Sequence, residues 1–282
     1  LLSILFGLGA ALGWGAANFT GGMASRKTGA YRAVFYSELI GILAILIVAA
    51  VIVGEPLPAG RALMMALTAG TLGTIGLLML YQAMTLGLMS IATSVSALLA
   101  AALPVVFGMF REGLPNLATI LGFGFALFAV WMISQSKGSV TDTIRVAHLA
   151  DLKLPLLAGI GFGCYFIFIN EAVRTSTFWP MVTSRTGGLV LTTLFMLFRR
   201  DSWKVQAGTW TMIVLNGLLD VSGNTFFIIA SQTGRLDVAV VLSSLFPGAT
   251  VLLAWVFLRE RLSRNQWIGI IAALIAIVLL TI

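Results

Sequence analysis

The chain has 282 residues, of which 59% are hydrophobic and only 10% charged, with a net charge of +7 and a mean hydropathy of +1.04. Soluble domains carry roughly 25% charged residues, so this composition belongs in a bilayer and excludes an ordinary water-soluble fold. A single cysteine, Cys164, excludes a disulfide framework or a redox pair.

A spanning helix needs about 20 apolar residues, and ten such runs follow one another at 2–24, 31–53, 61–86, 90–110, 116–135, 154–172, 178–198, 208–231, 237–258 and 264–282. The expected fold is therefore an all-α integral membrane protein. The first run is too long for a cleaved signal segment and carries Trp14 between Gly13 and Gly15. Its Gly9 and Gly13, like Gly159 and Gly163 in the sixth run, have the four-residue spacing that lets helices approach closely. The second run holds Glu38, the third ends near Tyr81 and Gln82, and the fourth contains Pro104. After the fifth comes the longest polar stretch, "SQSKGSVTDTIRVAHLADLK", with the only histidine, His148. It divides the chain into residues 1–138, a connecting loop 139–153, and residues 154–282. Tyr165 lies in the sixth run, Arg185 in the seventh, and Pro247 in the ninth. Pro104 and Pro247 are expected to bend their helices.

The eighth run contains "NGLLDVSGN", which places Asn216, Asp220 and Asn224 four residues apart, along one helical stripe. An Asp at the centre of a spanning helix costs about 3 kcal/mol on insertion scales, so it needs a partner, a wet cavity or a function.

The two halves repeat. A shift of 147 residues sets Ser37 on Ser184, Gly41 on Gly188, Gly70 on Gly217, Gly76 on Gly223 and Ser96 on Ser243. Five helices per half is an odd number, so the second copy enters the membrane inverted, as in alternating-access carriers. Twelve basic residues lie in the loops at one end: Arg26, Lys27, Arg32, Lys137, Arg145, Lys153, Arg199, Arg200, Lys204, Arg259, Arg261 and Arg264. Only Arg61, Arg111, Arg174 and Arg235 lie at the other. The positive-inside rule then puts both termini outside the cell. The basic surplus is topological and does not indicate a nucleic-acid partner.

The segment "ASQTGRLDVAVVLSSLFPGATVLLAWVFLRERLSRNQWIGIIAALIAIVLL" resembles the second half of the EamA-type carriers of the drug/metabolite transporter superfamily. "YQAMTLGLMSIATSVSALLAAALPVVFGMFREGL" is a looser copy, and "GLGAALGWGAANFTGGMASR" is similar to the family's first span. The resemblance implies a prokaryotic inner-membrane carrier that exports metabolites. It also implies that helices one, three, four, six, eight and nine surround a central cavity, with five and ten outside.

On that basis the expected substrate-binding residues are Asp220, Asn216, Asn224, Arg185, Trp14, Tyr81, Gln82 and Tyr165. The residue types themselves fit an amphipathic ligand: Tyr81 with Gln82, and Tyr165, place polar tips in apolar walls. Asp220 lies about 16 Å along its helix, near the midplane. Arg185 keeps its charge when buried and needs an anion, with Asp220, Glu38 or a substrate carboxylate as the choices. Glu38 is the repeat mate of Arg185 and, with Asp220, is a candidate proton carrier. Glu112, Glu171 and Glu260 lie at helix ends and read as solvated.

No metal-ligand cluster, phosphate-cradling glycine loop or nucleophile–base set is present in the sequence, so neither a cofactor, a bound metal nor an enzymatic step is expected. The expected partners are the lipid bilayer, a small-molecule substrate and protons as coupling ion, in a monomer or homodimer. The opposite charges of Arg185 and Asp220 suggest a zwitterion such as an amino acid. A proton-coupled exporter of cationic drugs or amines is the alternative.

Overall fold

A computed structural model of the chain describes residues 2–51, 57–86, 89–133, 152–174, 176–258 and 263–281. Most of the connecting loop, with His148, and the basic residues Lys137, Arg145, Arg259 and Arg261 lie outside the described residues, as does Glu260. The described residues are all-helical, without strands: α1 (Leu2–Thr28), α2 (Ala30–Val51), α3 (Gly60–Thr85), α4 (Met89–Glu112), α5 (Leu117–Ile133), α6 (Lys153–Ala172), α7 (Phe178–Arg199), α8 (Trp210–Thr233), α9 (Leu236–Ser243), α10 (Phe246–Leu258) and α11 (Arg264–Thr281). Seven stretches are long and apolar enough to cross a membrane, α9 counting together with the start of α10. Three shorter apolar helices, Val95–Arg111, Leu117–Ile133 and Arg264–Leu280, accompany them.

Every apolar run read from the sequence is helical over most of its described length, and the two interior prolines sit in different settings. The ninth run breaks into α9 and α10 at Ser244 and Leu245, just before Pro247. The amide nitrogens there still donate, Ser244 to Val240 at 2.8 Å and Leu245 to Leu242 at 3.2 Å. By contrast, α4 continues through Pro104 as one helix. Gly29 joins α1 to α2 in a single residue: its φ of 88° is a conformation that an L side chain resists, and it lets the chain reverse at once.

The helices pack in a reciprocal pattern. Helix α1 runs against α8 and the α9–α10 pair, while α6 runs against α3 and α4. Helices α2 and α7 contact each other, and α2 also contacts α8 while α7 contacts α3. Helices α5 and α11 pack mainly on one another at the periphery.

Small residues permit these approaches. A Cβ on Gly13 would stand 2.9 Å from the Cα of Gly223, and one on Gly161 would stand 3.0 Å from the Cα of Gly76. A Cβ on Gly70 would fall 1.7 Å from the carbonyl oxygen of Ser184, and one on Gly217 would fall 2.7 Å from that of Ser37. In lipid there is little hydrophobic drive between helices, so close backbone packing of this kind supplies much of the cohesion.

The two ends of the bundle are tied by polar contacts that group the loops. At one end Arg32 donates to the carbonyl of Lys204 at 2.9 Å and the Tyr36 hydroxyl to that of Trp203 at 2.7 Å, joining the start of α2 to the connection between α7 and α8. At the other, Glu171 pairs with Arg111 and Arg174, and Arg235 donates to the carbonyl of Gly113 at 3.2 Å.

Candidate functional site

The charged residues inside the apolar helices converge. Arg185 is the eighth of the 22 residues of α7, Glu38 the ninth of the 22 of α2, and Asp220 the eleventh of the 24 of α8. The guanidinium lies between the two acids: Nη1 donates to Glu38 Oε2 at 2.9 Å, and Nη2 donates to Asp220 Oδ2. Arg185 and Glu38 are 7% and 8% exposed, whereas the Asp220 side chain retains 24%. Charges this deep in a bundle are tolerable only when paired and hydrogen-bonded, and this cluster meets both conditions.

A second layer fixes the acids. The Thr74 hydroxyl donates to Glu38 Oε1 at 3.2 Å. The Asn224 amide donates to Asp220 Oδ2 at 3.1 Å and to the Asp220 carbonyl at 2.7 Å. The Tyr165 hydroxyl in turn donates to Asn224 Oδ1 at 2.5 Å. Space for the cluster comes from two glycines: a Cβ on Gly41 would sit 2.4 Å from Arg185 Nη1, and one on Gly188 would sit 2.1 Å from Thr74 Oγ1 and 3.4 Å from Glu38 Oε1.

These side chains border a cavity of about 100 Å³. One water needs roughly 10–15 Å³, so the space holds several waters or a small organic group. Trp14 and Asn18 from α1, Gly73, Thr74 and Leu77 from α3, Ala100 from α4, and Phe246 from α10 line it with the charged cluster. So do Phe162, Tyr165 and Phe166 from α6 and Met181 and Ser184 from α7. Helices α5 and α11 contribute nothing to this lining. Helices α2 and α7, which the resemblance did not place at the cavity, supply Glu38 and Arg185. Trp14 and Phe166 lie 5.5 Å apart between ring centroids and Phe166 and Phe227 4.8 Å apart, so one wall is a continuous aromatic cluster.

Of the residues singled out in the sequence, Asp220, Asn224, Arg185, Trp14, Tyr165 and Glu38 thus border one space. Asn216, Tyr81 and Gln82 do not. Asn216 is 2% exposed and Tyr81 1%; the Asn216 amide donates to the Tyr81 hydroxyl at 2.8 Å and to the Ala17 carbonyl at 3.2 Å. This linkage joins α1, α3 and α8 and satisfies its own polar groups, which leaves no reason for it to face a ligand. Gln82, partly buried on the same turn of α3, is likewise away from the lining. Of the three anions open to Arg185 in the sequence reading, it pairs with both Glu38 and Asp220, so Arg185 and Asp220 are not the two separate charges that a zwitterion would meet. Glu171 is not a free solvated acid but the partner of two arginines.

Residues that the sequence did not single out for the site include Asn18, Thr74, Ser184 and Phe246. Each is small, neutral or apolar, and only its position relative to the charged cluster distinguishes it.

Residues 151–282 match the model of the EamA-like transporter family. An uncharacterized protein of Methanocaldococcus jannaschii is 27% identical over 129 residues, a stretch covering 46% of this chain and 94% of that relative. A chain of known crystal structure is 18% identical and superposes with a TM-score of 0.78, over 99% of this chain and 98% of that one, a likeness of fold. The stretch 151–282 is thus matched as an EamA-like transporter domain, a family of the drug/metabolite transporter superfamily.

Proposed function

We propose that the chain is a secondary carrier that moves a small amphipathic organic solute across the membrane by alternating access. The observation that carries this reading is the cavity between the two halves, where Glu38, Arg185 and Asp220 meet inside otherwise apolar helices. Ionisable groups inside a membrane are costly and mark substrate or proton pathways.

The carrier has ten spans in two inverted repeats of five, residues 1–138 and 154–282. The reciprocal packing of α1 with α8 and of α6 with α3 supports that arrangement. So do the matched approaches of Gly70 to Ser184 and of Gly217 to Ser37, which are related by the repeat shift. Two such halves can rock about the central site and expose it to either side. Glu38 and Asp220 are the groups available to carry a coupling proton. Export from a prokaryotic cell across its inner membrane is the direction that the family resemblance implies.

Reconstituted vesicles test the proposal. Flux of an organic solute should saturate with concentration and show counterflow, in which unlabelled solute on one side drives labelled solute from the other. Flux that rises linearly without counterflow would make the protein a channel.

A further inference from the structure

We infer that the central cavity selects an organic cation, an ammonium carried on an apolar or aromatic body, and that Asp220 is the carboxylate that receives it. This rests on the carrier reading and gives it a substrate class.

Charge balance comes first. Glu38, Arg185 and Asp220 are the ionisable acids and base among the described lining residues, and two carboxylates against one guanidinium leave a formal charge of −1. An unbalanced charge in a low-dielectric interior is expensive, so the cavity attracts a cation or a proton. A substrate carboxylate would instead become the third anion around one guanidinium whose two Nη groups already each serve an acid. A zwitterion brings that repulsion along with its ammonium. A simple amine does not.

The two acids are not equivalent. Glu38 is buried, held by Arg185 on one oxygen and by Thr74 on the other. Asp220 is the more open of the two toward the cavity, and Arg185 and Asn224 both approach the same oxygen, Oδ2. Among the described residues no side chain donates to Asp220 Oδ1. An ammonium can therefore reach Asp220 while Arg185 stays anchored on Glu38. Trp14, Phe162, Tyr165 and Phe166 line the same space, and aromatic rings attract cations and pack an apolar body.

A matched set of probes on one skeleton tests this: 2-phenylethylamine, phenylalanine and 3-phenylpropionate, titrated calorimetrically into the purified full chain. The amine should bind about tenfold tighter than phenylalanine or better, and the propionate should not bind. Phenylalanine binding as tightly as the amine, measurable binding of the propionate, or binding of none of the three would each overturn the inference. In Asp220→Asn the amine should lose its binding, and full retention in a folded variant would overturn the assignment of Asp220. Should that variant not fold, the comparison on the unaltered chain still decides the charge class. The carrier reading fails separately: amine binding without saturable flux in vesicles removes the carrier and leaves the site. Saturable phenylalanine flux without amine binding removes the site and leaves the carrier.

Discussion

Glu38 and Arg185 are joined by a 2.9 Å ion pair and stand 147 residues apart, the same interval that superimposes the two halves of the sequence. Positions that the 147-residue shift equates therefore touch, which is the contact expected at the axis of the proposed inverted repeat. The residues there have opposite charge, and neither half could supply that pairing alone.

The pair has a direct stability consequence. Arg185→Met would leave Glu38 and Asp220 facing each other without a cation, and removal of one partner from a buried ionic cluster costs about 3–5 kcal/mol. Thermal unfolding in detergent should show a large loss for this variant. Adding Asp220→Asn to Arg185→Met removes one of the two stranded acids and should recover part of the loss. A melting temperature unchanged in the single variant would mean that the cluster is not structural.

Proton coupling assigns a separate role to Glu38. Glu38→Gln keeps the shape of the side chain and a partner for Thr74, so the protein should fold, with its solute bound more weakly because the cavity loses its surplus negative charge. Uptake into vesicles should then lose its dependence on an imposed pH gradient. Gradient-driven uptake equal to that of the unaltered protein would remove Glu38 from the coupling.

The Tyr81–Asn216 linkage lies off the cavity lining and should behave as structure. Tyr81→Phe leaves the Asn216 amide with the Ala17 carbonyl alone, and interhelical hydrogen bonds in membranes are worth about 0.6 kcal/mol on average and up to about 1.7. A modest drop in melting temperature with solute affinity unchanged is expected. Lost affinity at unchanged melting temperature would return Tyr81 to the binding site.

Orientation follows from the basic end of the bundle, where Arg26, Lys27, Arg32, Arg199, Arg200 and Lys204 gather and the Arg32–Lys204 contact ties α2 to the connection between α7 and α8. That end should face the cytoplasm, with both termini outside. A C-terminal fluorescent protein that matures only in the bacterial cytoplasm should remain dark, and a bright fusion would reverse the assignment.

The helices and the charged centre were legible in the sequence for the same reason: hydrocarbon makes both apolar length and any interior charge conspicuous. Glu38, Arg185 and Asp220 stood out against runs of Leu, Ile and Ala, whereas Thr74, Ser184 and Asn18 carry no such contrast. Which partner Arg185 would choose was not legible, because that depends on how helices from opposite halves approach. The polar stripe on α8 misled in part. Eight residues of a 3.6-residue helix rotate the face by about 80°, so Asn224 turns toward the cavity with Asp220 while Asn216 turns toward α1 and α3. Pro104 and Pro247 gave the same signal of a bend, and the sequence did not tell that the helix would break beside Pro247 and run on through Pro104.

The Glu38–Arg185 contact also makes each half a poor mate for itself. Two copies of the first half, arranged as the two halves are here, would set Glu38 against Glu38, and two copies of the second would set Arg185 against Arg185. Like charges at that depth repel with little water to screen them. In the proposed repeat this position of opposite sign favours the mixed pair and penalises self-pairing of the first half most, since each second half carries Asp220 as a partner for its own Arg185. A split chain, with residues 1–138 and 154–282 made as separate polypeptides, would be sorted by this position into the mixed assembly rather than into two kinds of homodimer.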